Sequence, residues 1–170
     1  MDVLEAIYKR RSIRDFTDQP VPDEVLHQIL EAGTWAPSAG NMQAWEFVIV
    51  KDAAKKKELA GLGKYTGMAA GADLLIFVCA VPERQAICPG FFPQDCGAVC
   101  QSILLQVTAE GLGAVWCGIY PGEEMVAKTA RALGMPESAI PFAMICVGHP
   151  AEHPTPRDRY EEARIHHENW

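Results

Sequence analysis

From Leu74 to Val81 the chain reads Leu-Leu-Ile-Phe-Val-Cys-Ala-Val, eight residues without a polar side chain, and Pro82 ends the run. A run this short cannot cross a bilayer as a helix, which needs about 20 apolar residues. A strand with one wet face would alternate apolar and polar residues, and this one does not. We therefore read Ala72–Val81 as a strand covered on both faces, a demand that fixes the plan of the whole molecule. With 170 residues, 49% of them hydrophobic, there is material for a core on both sides within one domain spanning 1–170.

The remaining elements follow from period and punctuation. Val3, Leu4, Ile7 and Tyr8 share one face of a short first helix, which delivers Arg10–Arg14 at its C-terminal end. Pro20, Pro22 and Asp23 open a second helix carrying Val25, Leu26, Ile29 and Leu30 as far as Gly33. Trp45–Val50 reads as a strand and Lys51–Leu62 as an exposed helix. A long helix from about Gln94 to Glu110 is apolar round much of its circumference, which suits burial, including burial against a partner subunit. Strand Ala114–Tyr120, helix Glu123–Leu133 and strand Phe142–Val147 complete the pattern. Residues 148–170 have none, and we expect an extended arm there, since long patternless segments carry function or remain disordered. Alternation of strands and helices alone would suggest a parallel sheet.

The formal net charge of -7 and the lack of a basic stripe argue against a nucleic-acid partner. The charged N-terminus has no apolar signal-peptide core, so we expect a cytoplasmic protein with no membrane partner. Six cysteines contain no C-x-x-C pair, and His149 and His153 flank a turn, so we expect reduced thiols and no metal. Cys117 sits among apolar neighbours, which predicts a raised thiol pKa. The glycine-rich segment Gly61–Gly67 follows a helix, not a strand, and its spacing departs from the dinucleotide fingerprint. We do not read it as a dinucleotide-binding loop.

Against this acidic background Arg10-Arg11-Ser12-Ile13-Arg14 places three guanidinium groups within five residues. Guanidinium forks match phosphate oxygens, and Ser12 can complete such a site. Arg157 and Arg159 supply a second basic pair from the tail. Between Trp35 and Trp45 lies a loop of small and amide residues, suited to close backbone approach to a planar ligand, with Asn41 and Gln43 offering donors and acceptors.

Four ordered segments, Arg10–Phe16, Ala36–Trp45, Gly113–Pro121 and Pro156–Tyr160, together resemble the FMN-dependent nitroreductase family in one of its short forms. The resemblance implies an α+β homodimer of three layers, with a central, mostly antiparallel sheet flanked by helices and two FMN sites at the subunit interface. It implies that Arg10, Ser12 and Arg14, with Arg157 and Arg159, hold the FMN phosphate. Pro37, Ser38, Ala39 and Asn41 would reach the flavin from the other subunit. Gly118 and Ile119 match the segment facing the flavin's redox edge, and Arg11 and Gln43 are further cofactor-binding candidates. Ala44 stands where the family often has proline, and the lid insertions of longer relatives are missing. The implied activity is transfer of reducing equivalents from NADH or NADPH through FMN to a small acceptor such as a nitroaromatic or quinone, by ping-pong kinetics and without a catalytic side chain. The alternative is a non-catalytic FMN-binding sensor or carrier.

Overall fold

The computed structural model describes residues 1–170. Its nine main elements, in order, are α1 (Val3–Lys9), α2 (Asp23–Thr34), β1 (Trp45–Val50), α3 (Ala53–Ala60), β2 (Leu74–Ala80), α4 (Phe92–Ala109), β3 (Gly113–Gly118), α5 (Glu123–Leu133) and β4 (Ile140–Gly148). The four strands form one sheet in the order β1-β2-β4-β3, and every pairing is antiparallel. The parallel sheet suggested by alternation is thus absent. Each helix here returns the chain to a strand that runs against its neighbour.

The apolar run occupies β2, a central strand, and all seven of its residues are buried. Backbone alternation deals them to two cores. Leu74, Ile76, Val78 and Ala80 face the α4 side with Ile29, Val99, Cys100 and Ile103. Leu75, Phe77 and Cys79 face the other side with Leu59, Met144 and Cys146, against which Val126 and Leu133 of α5 pack. A fully buried Leu, Ile or Phe contributes about 1.5–3 kcal/mol, so β2 anchors both layers at once. This is the physical reason its sequence lacks alternation.

Helix boundaries follow local chemistry. The Asp2 carboxylate accepts from the Glu5 N–H at 2.8 Å and caps α1, while Asp52 does the same for α3 through the Lys55 N–H at 2.7 Å. Gly134, at φ +64, closes α5 in the left-handed conformation a glycine adopts without penalty. The apolar face of α1 is not buried, however. Val3 is 72% exposed and Tyr8 66%, with Leu4 and Ile7 also open. On α4, Gly97, Ala98, Ser102 and Leu105 remain only partly covered. No helix is long and apolar enough to cross a membrane.

Candidate functional site

The arginine segment is fixed along the outer edge of β3. Ser12 bridges Ala114 in parallel fashion, and the Ile13 N–H donates to the Ala114 carbonyl at 2.9 Å. Ile13 is buried against Gly113, where a Cβ would come within 2.7 Å of its side chain, so only glycine lets the segment lie this close. Extended backbone sends Ser12 and Arg14 to the face opposite Ile13. Arg10 sits at the C-terminus of α1, where helix carbonyls favour a cation, and Arg11 Nη1 donates to the Arg10 carbonyl at 2.6 Å.

The tail begins beside this segment. The Ala151 N–H donates to the Asp15 carbonyl at 2.9 Å, and Glu152 Oε1 accepts from the Arg14 N–H at 2.6 Å. From Glu152 to Arg157 is a short tether, and it returns Arg157 and Arg159 to Arg10. These residues, with Arg11, Tyr8, Asp158 and others, line a cavity of about 630 Å3. None of Arg10, Arg11, Arg14, Arg157 and Arg159 forms a salt bridge. Burial, and then the charges of Arg159 and Arg11, push the Arg10 guanidinium below its ordinary pKa. Cations gathered without a carboxylate partner make a site for an anion.

A second cavity of about 310 Å3 lies beyond Arg14, along the end of β3. Arg14, Lys64, Tyr65, Thr66, Met68, Trp116, Cys117 and Gly118 are among its lining residues. The Ile119 N–H donates to Phe142 at 3.1 Å, so alternation along β3 turns the Gly118 N–H away from β4 to the free outer edge. A Cβ on Gly118 would meet nothing within 4 Å. The Ile119 side chain is buried in the core and its N–H is committed, so within this chain only Gly118 of that pair lines the cavity.

One expectation needs correction here, and the segment set aside as a dinucleotide loop proves to border a cavity. Within Gly61–Gly67, Thr66 Oγ1 ties the turn together through Ala60, Gly63 and its amide, presenting Lys64 and Tyr65 to the site. Comparison with a dinucleotide fingerprint had no power to find this, because these residues reach the cavity by their place beside β3. Cys117 departs from the raised pKa its apolar neighbours predict. A hydrogen bond from the Cys146 thiol, with the Arg14 charge adding to it, holds Cys117 below the ordinary thiol range. Cys146 is driven above that range by the same bond and by burial.

The Pro37–Gln43 loop lines neither cavity. It feeds β1, and Trp45 pairs with Ala80 at the sheet end where Gly118 pairs with Ala143. Yet β1 and β3 are opposite edges, three strand spacings or about 14 Å apart. The loop is strained: Gly40, Asn41 and Gln43 have φ of +58, +54 and +49. A left-handed conformation costs a non-glycine residue roughly 1–2 kcal/mol, least for asparagine. Ser38 Oγ offsets part of this by accepting from the Gln43 N–H at 3.0 Å.

The chain thus sets an unpaired arginine cluster and the Gly118 cavity on either side of the Ser12–Arg14 segment, at the free edge of the sheet. The nitroreductase family model matches residues 7–64 and 62–149, and the chain belongs to that family. A protein of Methanothermobacter thermautotrophicus, provisionally named NADH dehydrogenase/NAD(P)H nitroreductase, is 42% identical over 170 residues, covering 100% of this chain and 88% of that one. The NADPH-flavin oxidoreductase of Vibrio harveyi is 33% identical over 180 residues, covering 99% of this chain and 74% of its own length. The crystal structure of a provisionally named nitroreductase from Desulfovibrio desulfuricans, in complex with FMN, matches with a TM-score of 0.85 at 35% identity over 100% of this chain and 98% of that chain.

Proposed function

We propose that the protein is an FMN-dependent NAD(P)H oxidoreductase that works as a homodimer with one flavin site at each end of the interface. The observation that carries this reading is the convergence of Arg10, Arg11, Arg157 and Arg159 on one cavity without a single salt bridge, beside the Gly118 cavity. These cavities fall within the few hundred to about 1,000 Å3 of ordinary cofactor sites. Their cations and open backbone edge suit a phosphate joined to a flat ring.

In this reading Arg10, Ser12 and Arg14, with Arg11, Arg157 and Arg159, hold the FMN phosphate. Gly118 leaves room at the strand edge and turns its N–H toward the ring. Pro37, Ser38, Ala39, Asn41 and Gln43 come from a second copy, since one chain holds that loop on the opposite edge of its sheet. Supporting the dimer are the open apolar face of α1, the partly covered face of α4, and an arm in which every residue from 153 to 170 is exposed. When bound, FMN supplies a two-electron carrier that accepts hydride from NADH or NADPH and passes reducing equivalents to a small acceptor such as a nitroaromatic or quinone. The chain's own residues bind and orient it and tune its potential through their positive charge.

Purified protein should be yellow, release FMN and not FAD on heating, and scatter light as two chains. Initial rates over varied donor and acceptor should give parallel double-reciprocal lines. Absence of FMN binding after reconstitution would overturn the reading, and intersecting lines would replace ping-pong turnover with a ternary complex.

A further inference from the structure

Away from both cavities, the most buried carboxylate in the chain points at the strained loop. Asp95, in the first turn of α4, is 5% exposed and forms no ion pair. Its Oδ1 accepts from the Ala39 N–H at 3.0 Å and its Oδ2 from Gln85 Nε2 at 2.7 Å. Gln85 is 1% exposed, and its Oε1 meets no donor. Burying a carboxylate and an unpaired amide oxygen is costly, and a first-turn acid could serve the helix dipole equally well from the surface.

What the arrangement accomplishes is fastening. Every other hydrogen bond of residues 37–43 stays within residues 38–45, so Asp95 makes the one hydrogen bond that ties this segment to the body of the protein. The segment carrying Gln85 also packs on the loop: a Cβ at Gly40 would lie 2.9 Å from Ile87 Cδ1 and 3.2 Å from Cys88 Sγ. Residues whose backbone is held in sparsely populated conformations stay there only when their surroundings over-determine them. Asp95 from one side and Ile87 with Cys88 from the other do so here.

We propose that Asp95 and Gln85 are positioning residues that hold the Pro37–Gln43 loop in the shape with which it meets the flavin bound by a second copy. This rests on the dimeric FMN reading above. Asp95 touches neither the cradle nor the Gly118 cavity of its own chain, so its effect is exerted on the other subunit's site. Two acceptor oxygens are needed because both partners are donors. An asparagine at this position keeps the Ala39 bond and loses the second acceptor, whereas alanine loses both.

The test is FMN titration of apo-protein, followed by flavin fluorescence, alongside thermal melting of the same apo samples. Asp95→Ala should bind FMN about ten- to a hundredfold more weakly and melt somewhat lower, since it leaves two donors unpaired, whereas Asp95→Asn should melt close to the parent and bind about three- to tenfold more weakly. The asparagine variant preserves shape, so it reads the effect even if the alanine variant fails to fold. Mixed dimers then separate positioning from general damage. Co-expressing a tagged Asp95→Asn chain with a differently tagged Arg14→Ala chain brings the intact cradle of the first together with the intact loop of the second. Such dimers should bind one FMN per dimer at near-parental affinity, while both mutant homodimers bind weakly at every site. Parental affinity in both Asp95 variants, or mixed dimers with no tight site, overturns the proposal. If the parent protein dimerises and binds FMN in the same experiment, that failure belongs to the clamp alone; a parent that binds no FMN overturns the functional reading with it.

Discussion

Strands β2 and β4 bury all their residues but Ile140, whereas residues 151–170, in the same chain, are exposed throughout except for the half-covered Glu152. Both regions carry large apolar side chains: Phe77 and Ile145 are fully buried, and Trp170 is fully open. The difference lies in what surrounds them. A central strand has a layer on each face supplied by its own chain, so its side chains spend their apolar area on folding. The arm has only its root, Ala151 and Glu152 bonded to Arg14 and Asp15, and beyond that its apolar and cationic groups stay open.

The sharpest break of this contrast is Phe77→Ala. Truncating a fully buried aromatic should cost about 3–5 kcal/mol of unfolding free energy, read from the urea midpoint. A loss below about 1 kcal/mol would mean that the two layers do not depend on β2 as described.

Arg159→Ala probes the other region. FMN affinity should drop roughly ten- to a hundredfold, the worth of a charged hydrogen bond of about 1.5–3 kcal/mol, while the urea midpoint stays put. The loss should be smaller at high salt, where phosphate and guanidinium attract less. Unchanged affinity would remove the arm from the site.

Alkaline pH should act on the core through its buried thiols. Burial pushes the Cys79 and Cys96 thiols up to about 12, with Glu46 adding to the first and Asp95 to the second. Because the folded pKa exceeds the unfolded value of about 8.5, stability is fully present below that pH. It falls as pH rises toward 12, by about 1.4 kcal/mol per unit for each thiol. Denaturant titrations between pH 8 and 10.5 measure the slope, and Cys79→Ala should reduce it; a flat profile would contradict the burial.

At the small end, Glu5→Ala removes the exposed Lys9–Glu5 pair, 2.6 Å apart on α1. Surface pairs of this kind contribute little, so the melting temperature should be unchanged within error. A measurable drop would show that α1 is coupled to the core more tightly than its exposure suggests.

The sequence by itself determined the elements whose signal is local. Trp45–Val50 and Glu123–Leu133 appear with the bounds read from the sequence, the latter closed by Gly134, and the unbroken run around Phe77 announced a central strand because only a doubly covered strand tolerates it. Family resemblance, carried by Arg10–Phe16 and Ala36–Trp45, supplied the antiparallel sheet that alternation alone would have missed. Other facts were decided by tertiary structure. Sheet order put the Pro37–Gln43 loop and Gly118 on opposite edges, and register set Cys117 diagonally beside Cys146, whose direct partner is Val115. Lys64 and Tyr65 entered the site, and Asp95 found Ala39 across 56 positions, with no local pattern to mark either. Periodicity records only which side of an element is apolar. Which distant residues share a cavity depends on how strands pair and in what register, and those choices are made by the packing of the whole chain.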